Sequence, residues 1–461
     1  MKIEQIYTGC LSQGSYYIES NGEVAIIDPL REISNYLKLA NDNNAKIKYV
    51  FETHIHADFV SGHLTLSKAT GAPIIFGPNA KTSYPITVAK DFQEFKLGDL
   101  NLIVLHTPGH TLESTTYLLR DKKGKDRAIF TGDTLFMGDV GRPDLAHKRS
   151  GKTINEMAGL LYDSLRKKIM PLSDDVIVYP AHGAGSACGK KISSETFGTL
   201  GGQKLNNYAL NESITKDEFI NELTDGLENP PAYFPMNVKM NQEGYDDIDD
   251  VIRKNLNPLN AEEFEKIANQ TGAIILDVRN QIEFAKEHIS KSIFIGIDGG
   301  FAPWVGSIIG DVKQPILLIA PKGREIETIT RLARVGFDNT LGFLSGGISS
   351  WKSAGKATDS IQIIEASSLK EKINFKTTVV DVRKKSEFKN GHIKNSLNIP
   401  LDKLSKNINK TSINGEFYIH CAGGYRSMIA SSILKRKGIH KMTDVIGGFS
   451  AIKSAQIPIE I

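Results

Sequence analysis

Three cysteines in 461 residues, Cys10, Cys188 and Cys421, are odd in number and far apart in the chain. That spacing argues against a disulfide framework and for a reducing, cytoplasmic setting, where a cysteine with a role acts as a thiol. No apolar run reaches the roughly 20 residues of a membrane span. The opening stretch MKIEQIYTGCLSQGSYYIES has neither an apolar core nor a small-residue cleavage site, so no signal peptide is expected. Dense Lys/Arg tracts interleaved with aromatics are missing too, which removes nucleic acid as an expected partner. The net charge of +3 leaves small anionic ligands compatible. Hydrophobic content of 40% against 24% charged residues describes a folded globular chain, and its length calls for several domains.

The first half alternates short apolar runs with turn signals. YYIESNGEVAIIDP predicts a hairpin turning at Asn21-Gly22. IKYVFET, LNLIVLHTP, RAIFTGD and DVIVYPAHG read as strands, each running into a polar loop that carries Gly or His. Strand ends hold loop residues rigidly enough for catalysis. ITKDEFINELTDGL has helical periodicity. The Pro-rich ENPPAYFPMN and acidic EGYDDIDD then place a boundary near residues 245 to 257.

Beyond that boundary the chain repeats itself. ILDVRNQIEFAKEHISKSIFI, from Ile275, matches VVDVRKKSEFKNGHIKNSLNI, from Val379, pairing Asp277 with Asp381, Arg279 with Arg383, Glu283 with Glu387 and His288 with His392. LSGGISSWKSAG later matches VIGGFSAIKSAQ. Alternating strand-like and helix-like segments predict two small α/β domains with parallel sheets, over residues 258–357 and 360–461. A period of about a hundred residues marks a domain duplication rather than a solenoid.

Four strand-end pieces, THIHAD, TPGHT, FTGDT and YPAHG, supply His54, His56, Asp58, His110, Asp133 and His182. Imidazole and carboxylate together suit iron, zinc or manganese. In the second half, YIHCAGGYRS places Cys421 at the turn from a predicted strand into a helix, with Arg426 five residues on. Inward N–H groups and the helix start supply positive potential there, making Cys421 a candidate nucleophile. The first copy offers LIAPKGREIE at that place and contains no cysteine.

The four pieces, in this order and spacing, resemble the metallo-β-lactamase superfamily over roughly residues 1 to 245. The resemblance implies an αββα sandwich. Most hydrolytic members carry HxHxDH and hold two metals, whereas this chain has Phe59 in place of the last His. A phenyl ring has no lone pair to give, so a mononuclear site is favoured. Within the superfamily the pattern is most similar to the persulfide dioxygenases. That likeness implies one Fe(II) held by His54, His110 and Asp133, open on one side to persulfide and O₂. His56 and Asp58 would orient ligands or water, and Tyr179, His182 and Arg142 would line the pocket. For Arg142 a structural salt bridge and an anion-binding role stand equally open. Cys188 reads either as a small buried apolar residue or as a thiol near the site mouth that relays sulfane sulfur, its thiolate favoured by Lys190 and Lys191.

Residues 360–461 resemble a rhodanese sulfurtransferase domain, whose C-x₄-R loop is spanned here by Cys421 and Arg426. Related phosphatases use a loop one residue longer. Asp381 and Arg383 read as scaffold, and residues 258–357 as a rhodanese homology domain without catalysis, a spacer or docking surface. The whole order resembles the bacterial multidomain persulfide dioxygenase–sulfurtransferases of sulfide detoxification. It implies oxidation of small thiol persulfides to sulfite, then sulfur transfer to give thiosulfate, in the cytoplasm, with no membrane partner and compatibly with a homo-oligomer. The rival expectation is a zinc-dependent thioester hydrolase like glyoxalase II with an accessory sulfur-carrier domain.

Overall fold

A six-stranded sheet opens the chain, in the order β1 (Lys2–Thr8), β2 (Gln13–Ser20), β3 (Glu23–Ile27), β4 (Lys46–Glu52), β5 (Ile74–Phe76) and β6 (Thr87–Val88). The β2–β3 turn is the predicted one, with Asn21 and Gly22 both at positive φ (51° and 75°). A second six-stranded sheet runs β12-β11-β10-β9-β8-β7, from β7 (Glu94–Leu97) through β8 (Leu100–His106), β9 (Thr115–Arg120), β10 (Asp126–Gly132) and β11 (Ile177–Pro180) to β12 (Gly198–Thr199). Alternation along the strands makes two faces on each sheet. Tyr16, Ile18, Ala25 and Ile27 meet Leu102, Val104, Tyr117 and Phe130 between the sheets. Their neighbours Tyr17, Val24 and Ile26 turn outward onto Tyr36, Ala40 and Leu66 of the helices Ser34–Asp42 and His63–Thr70. Ile103 and Leu105 face Ala158, Leu161, Phe219 and Leu223 of the helices Ile154–Ser164 and Lys216–Thr224 on the other side. The result is the expected αββα layering. Both of those last helices start in capping boxes, Thr153 with Glu156 and Thr215 with Glu218.

The computed structural model describes residues 1–374, 376–407 and 415–461. It divides into two units, Met1–Val251 with Ala333–Gly336, and Ile252–Leu332 with Phe337–Ile461. Among the described residues no helix is long and apolar enough to cross a membrane.

The second unit contains the duplication. One five-stranded parallel sheet is ordered β13-β18-β17-β14-β16, from β13 (Pro258–Leu259), β14 (Ile274–Asp277), β16 (Ile293–Phe294), β17 (Ile316–Ile319) and β18 (Thr340–Leu344). The other repeats it as β20-β25-β24-β21-β23, from β20 (Gln362–Ile364), β21 (Thr378–Asp381), β23 (Leu397–Asn398), β24 (Phe417–His420) and β25 (Met442–Val445). Each copy adds a two-stranded antiparallel ribbon, β15 (His288–Ile289) with β19 (Thr358–Asp359) and β22 (His392–Ile393) with β26 (Ile459–Glu460). The repeated DVR motif has one structural job in both. Arg279 Nη2 donates to Asp277 Oδ2 (2.6 Å) and to the Glu287 carbonyl, and Arg383 Nη2 donates to Asp381 Oδ2 (2.5 Å) and to the Gly391 carbonyl. His288 stacks on Phe284 as His392 stacks on Phe388.

Asp444 on β25 is buried, and among the described residues its Oδ1 has no hydrogen-bond partner. Burial pushes its carboxyl up to about 8, which Ser427 opposes only in part. The folded chain therefore holds a proton at neutral pH that the unfolded chain releases. Such a group stabilises fully below its unfolded value, near pH 4, and that contribution is lost as pH rises toward about 8. Asp444→Asn should remove this loss. Denaturant unfolding should find the variant more stable than wild type near pH 8, by on the order of a few kcal/mol, and close to it near pH 4. Equal destabilisation at both pH values would contradict this account.

Candidate metal centre and thiol loop

His54 follows β4, His110 follows β8, Asp133 follows β10 and His182 follows β11, so strand ends bring them to one edge of the sandwich. All are buried. Their outer ring nitrogens are tied down in a way that fixes the tautomer. His110 Nδ1 donates to the Arg142 carbonyl (2.9 Å), and His182 Nδ1 to the Ser12 carbonyl (3.2 Å). Thr53 Oγ1 donates to Asp28 Oδ2 (2.8 Å), so it accepts from His54 Nδ1 (3.0 Å). Each ring then presents an Nε2 lone pair inward. His110 Nε2 lies 3.4 Å and His54 Nε2 3.9 Å from Asp133 Oδ2. Two donors at about 2.1 Å from a shared ion stand about 3 to 3.5 Å apart, so the spacing is close to that of ligands.

The donor chemistry fits a cation. Among the described residues neither oxygen of Asp133 has a hydrogen-bond partner, nor does Asp58 Oδ1 or His182 Nε2. An unpaired buried carboxylate costs several kcal/mol, roughly, unless a cation shares it. Burial, with His56, His110 and His182 nearby, pushes His54 well below the ordinary histidine value, so its ring is neutral, as a ligand must be. The donors of His54, His110 and Asp133 lie within 4.8 Å of one another and could share one ion. A second set, His56, Asp58 and His182, meets the same distance criterion beside it. His182 Nε2 is 3.4 Å from Asp58 Oδ2 and 3.6 Å from Asp133 Oδ1.

His56 is held differently from the other histidines. Its Nε2 sits 3.1 Å from Asp28 Oδ1 and 3.3 Å from Glu52 Oε2, while the fully buried Phe59 ring lies 4.4 Å from its own. Burial opposes charging this ring, but the two carboxylates outweigh it and hold His56 well above its ordinary value. Glu52 also accepts from Ser61 Oγ and pairs with His63 Nδ1 at 3.1 Å, and His63 Nε2 meets Tyr84 Oη at 2.6 Å. Asp28 and Glu52 were not candidates from sequence. Glu52 ends β4 just before the turn that carries His54 and His56, and Asp28 directly follows β3; that placement was the available signal.

Three expectations change. Tyr179 does not line the cluster: it stacks on Phe130 (5.3 Å) in the packing between the sheets, because its strand register aims it there. The Arg142 guanidinium is bound to Asp144 (2.7 and 3.0 Å) and to the Ala187 and Glu228 carbonyls, so the salt-bridge alternative describes it. Its contribution to the centre is the backbone carbonyl that orients His110. Cys188 is buried with its sulfur within 4.8 Å of Asp133 and His182 donors. Lys190 Nζ instead reaches the Glu222 and Asp225 carbonyls. Burial, then Asp133 and Asp58, push the Cys188 thiol well up, so it is a neutral S–H beside the cluster rather than a lysine-favoured thiolate. Buried Tyr233, which senses both Asp58 and Cys188, is a further neighbour that sequence reasoning missed.

In the second unit, Cys421 follows β24 and is buried, and the helix Tyr425–Arg436 begins four residues later. The Gly424 N–H donates to Cys421 Sγ (3.1 Å). The loop is gripped from behind by the repeated Gly-Gly turn. Phe449 N–H donates to the Cys421 carbonyl (2.7 Å), and a Cβ on Gly448 would come 2.4 Å from that oxygen. Only glycine allows so close an approach. Arg426 forks onto Glu387 at 2.6 and 2.8 Å, which fixes the guanidinium two residues beyond the sulfur-facing Gly424. In the first copy Ala320 follows β17 as Cys421 follows β24, and Glu325 stands at the Arg426 position.

A metallo-beta-lactamase superfamily model matches residues 8–182, and a rhodanese-like domain model matches residues 260–354 and 365–455. Among solved structures, a metallo-beta-lactamase from Staphylococcus aureus subsp. aureus COL is 30% identical, covering 75% of this chain and 98% of that one at a TM-score of 0.65. ETHE1 from Myxococcus xanthus is 27% identical, covering 52% of this chain and 98% of that one at a TM-score of 0.45. The cytoplasmic hydroxyacylglutathione hydrolase of Arabidopsis thaliana is 31% identical over 187 residues, 40% of this chain and 67% of the relative. On this likeness and this fold, the chain belongs to the metallo-beta-lactamase superfamily, its metallo-beta-lactamase domain followed by two rhodanese-like domains.

Proposed function

We propose that the first domain is an iron-dependent persulfide dioxygenase and the last a sulfurtransferase working through Cys421. The observation that carries the reading is Phe59. It is packed on His56 where the hydrolytic pattern has a metal ligand, while the His54, His110 and Asp133 donors remain convergent. Iron held by those three would supply adjacent sites for a persulfide sulfur and O₂. The chain's own residues do the rest. The Arg142 carbonyl and Thr53 aim the two imidazoles, and burial keeps water from the ligand atoms. The balanced reaction takes R–S–SH, O₂ and water to R–SH and sulfite. Cys421 then takes the outer sulfur of another persulfide and passes it to sulfite, giving thiosulfate and freeing the thiol.

A second reading, the zinc-dependent thioester hydrolase, draws on the second donor set of His56, Asp58 and His182 and on the hydrolase relatives. One experiment separates the two. Purified protein is assayed for O₂ uptake with glutathione, bacillithiol and coenzyme A persulfides and for hydroxyacylglutathione hydrolysis, with iron and zinc quantified on the same sample. The dioxygenase reading expects about one iron per chain and persulfide-dependent O₂ uptake. Two zinc ions, thioester hydrolysis and no O₂ uptake would establish the hydrolase instead.

A further inference from the structure

The residue between the sulfur-facing Gly424 amide and Arg426 does not belong to its own domain's packing. Tyr425 reaches into the cysteine-free copy, where its hydroxyl donates to the Gly296 carbonyl (2.6 Å). Its ring lies edge-on to Phe294, at 5.9 Å. The slot that receives it is made by absent side chains. A Cβ on Gly299 would come 2.3 and 2.4 Å from ring atoms of Tyr425, and one on Gly296 would come 3.3 Å from the ring. Arg331 of the same copy braces this loop by donating to the Ile297 carbonyl (2.6 Å). Two more bonds tie down the helix that Tyr425 begins. Phe294 N–H donates to Ser432 Oγ (3.0 Å), and Arg436 donates to the Lys291 carbonyl (2.8 Å). Among the described residues the reverse arrangement does not occur. Arg324, at the position matching Tyr425, pairs with Asp298 and Glu327 inside its own copy.

We infer that the cysteine-free rhodanese-like domain is a positioning element for sulfur transfer, holding the Cys421 loop through Tyr425 seated in the Gly296–Gly299 slot. The inference rests on the reading of Cys421 as the sulfur-carrying nucleophile. A tight loop of six residues leaves little slack: its fifth residue is fixed from outside while its first carries the sulfur and its sixth the Glu387-paired guanidinium. Displacing Tyr425 therefore displaces the geometry around Sγ. Tyr425 is a positioning residue here, since it acts through the loop.

The test uses the full chain, with thiosulfate as donor and cyanide as acceptor, comparing Gly299→Val, Tyr425→Ala, Tyr425→Phe, the Gly299→Val/Tyr425→Ala double variant and Cys421→Ser. Filling the slot from more than a hundred residues away should lower kcat roughly 10- to 100-fold with little change in KM for thiosulfate. Tyr425→Ala should lose a similar factor, and Tyr425→Phe, which keeps the ring seated, should recover most of it. Because the two lesions share one contact, the double variant should be no worse than Tyr425→Ala alone. If Gly299→Val does not fold, Tyr425→Ala removes the ring without any clash and carries the test. Wild-type kcat in both Gly299→Val and Tyr425→Ala, or multiplicative losses in the double variant, would overturn the inference alone. Transfer that survives Cys421→Ser would overturn the nucleophile reading and this inference with it.

Discussion

Cys421→Ser should abolish sulfur transfer to cyanide and turn the product of persulfide oxidation from thiosulfate to sulfite, with O₂ consumption unchanged. A serine oxygen cannot carry a sulfane sulfur in the exchangeable form of a cysteine persulfide, so the loss is complete rather than partial. Nothing in the second unit can substitute. The other two cysteines lie in the first unit, and Ala320 occupies the equivalent place in the first rhodanese-like copy. At this turn the Gly424 N–H donates to Sγ, and Arg426 is fixed by Glu387. Serine is close in size, so the loop should keep its grip from Phe449 and the variant should melt near wild type. Sulfite and thiosulfate are separated and quantified by chromatography after one incubation with persulfide and O₂. Thiosulfate output equal to wild type would refute the division of labour.

How much of this was legible depended on whether the signal was local. The hairpin at Asn21-Gly22, the strands carrying each histidine and the Thr215-capped helix all follow from short-range pattern and turn chemistry. The duplication was readable because Asp277-Val-Arg279 and Asp381-Val-Arg383 form a self-contained hydrogen-bonded unit that each copy must keep. What was missed came from distance in sequence. Asp28 and Glu52 join His56 only when β3 and β4 lie side by side, and Tyr233 reaches Asp58 from far along the chain. Tyr179 lies on β11 and packs between the sheets, whereas His182 lies past the strand's end, in the turn that faces the centre, so nearness in sequence did not carry Tyr179 there. Lys190 and Lys191 adjoin Cys188 in sequence, but proximity along the chain says nothing of which way a long side chain runs. Two-residue strands such as Thr87–Val88 and Gly198–Thr199 carry no periodicity to read.

The cluster behind Phe59 makes its own large prediction. His110→Ala should strip the metal and eliminate O₂ uptake, while transfer of sulfur from thiosulfate to cyanide through Cys421 stays at the wild-type rate. His110 is the better ligand to remove than His54, whose Nδ1 is part of the Thr53–Asp28 chain that also supports His56. His110 Nδ1 is held by the Arg142 carbonyl, and Arg142 is independently anchored by Asp144. Losing a partner that merely supports a metal ligand costs about 10- to 100-fold in affinity or activity, and losing the ligand itself should exceed that. The second donor set sharpens the outcome. If one ion is shared by His54, His110 and Asp133, the variant empties of metal. If His56, Asp58 and His182 hold a second ion, about half of the metal should remain after His110 is gone, since none of those three contacts is removed. Metal content by elemental analysis therefore reads the nuclearity of the centre directly, and sulfur transfer in the same preparation reports that the second unit is intact. Full O₂ uptake in His110→Ala would sink the ligand assignment. Loss of uptake with half the metal retained would keep His110 in the centre and reject the single-ion reading of Phe59.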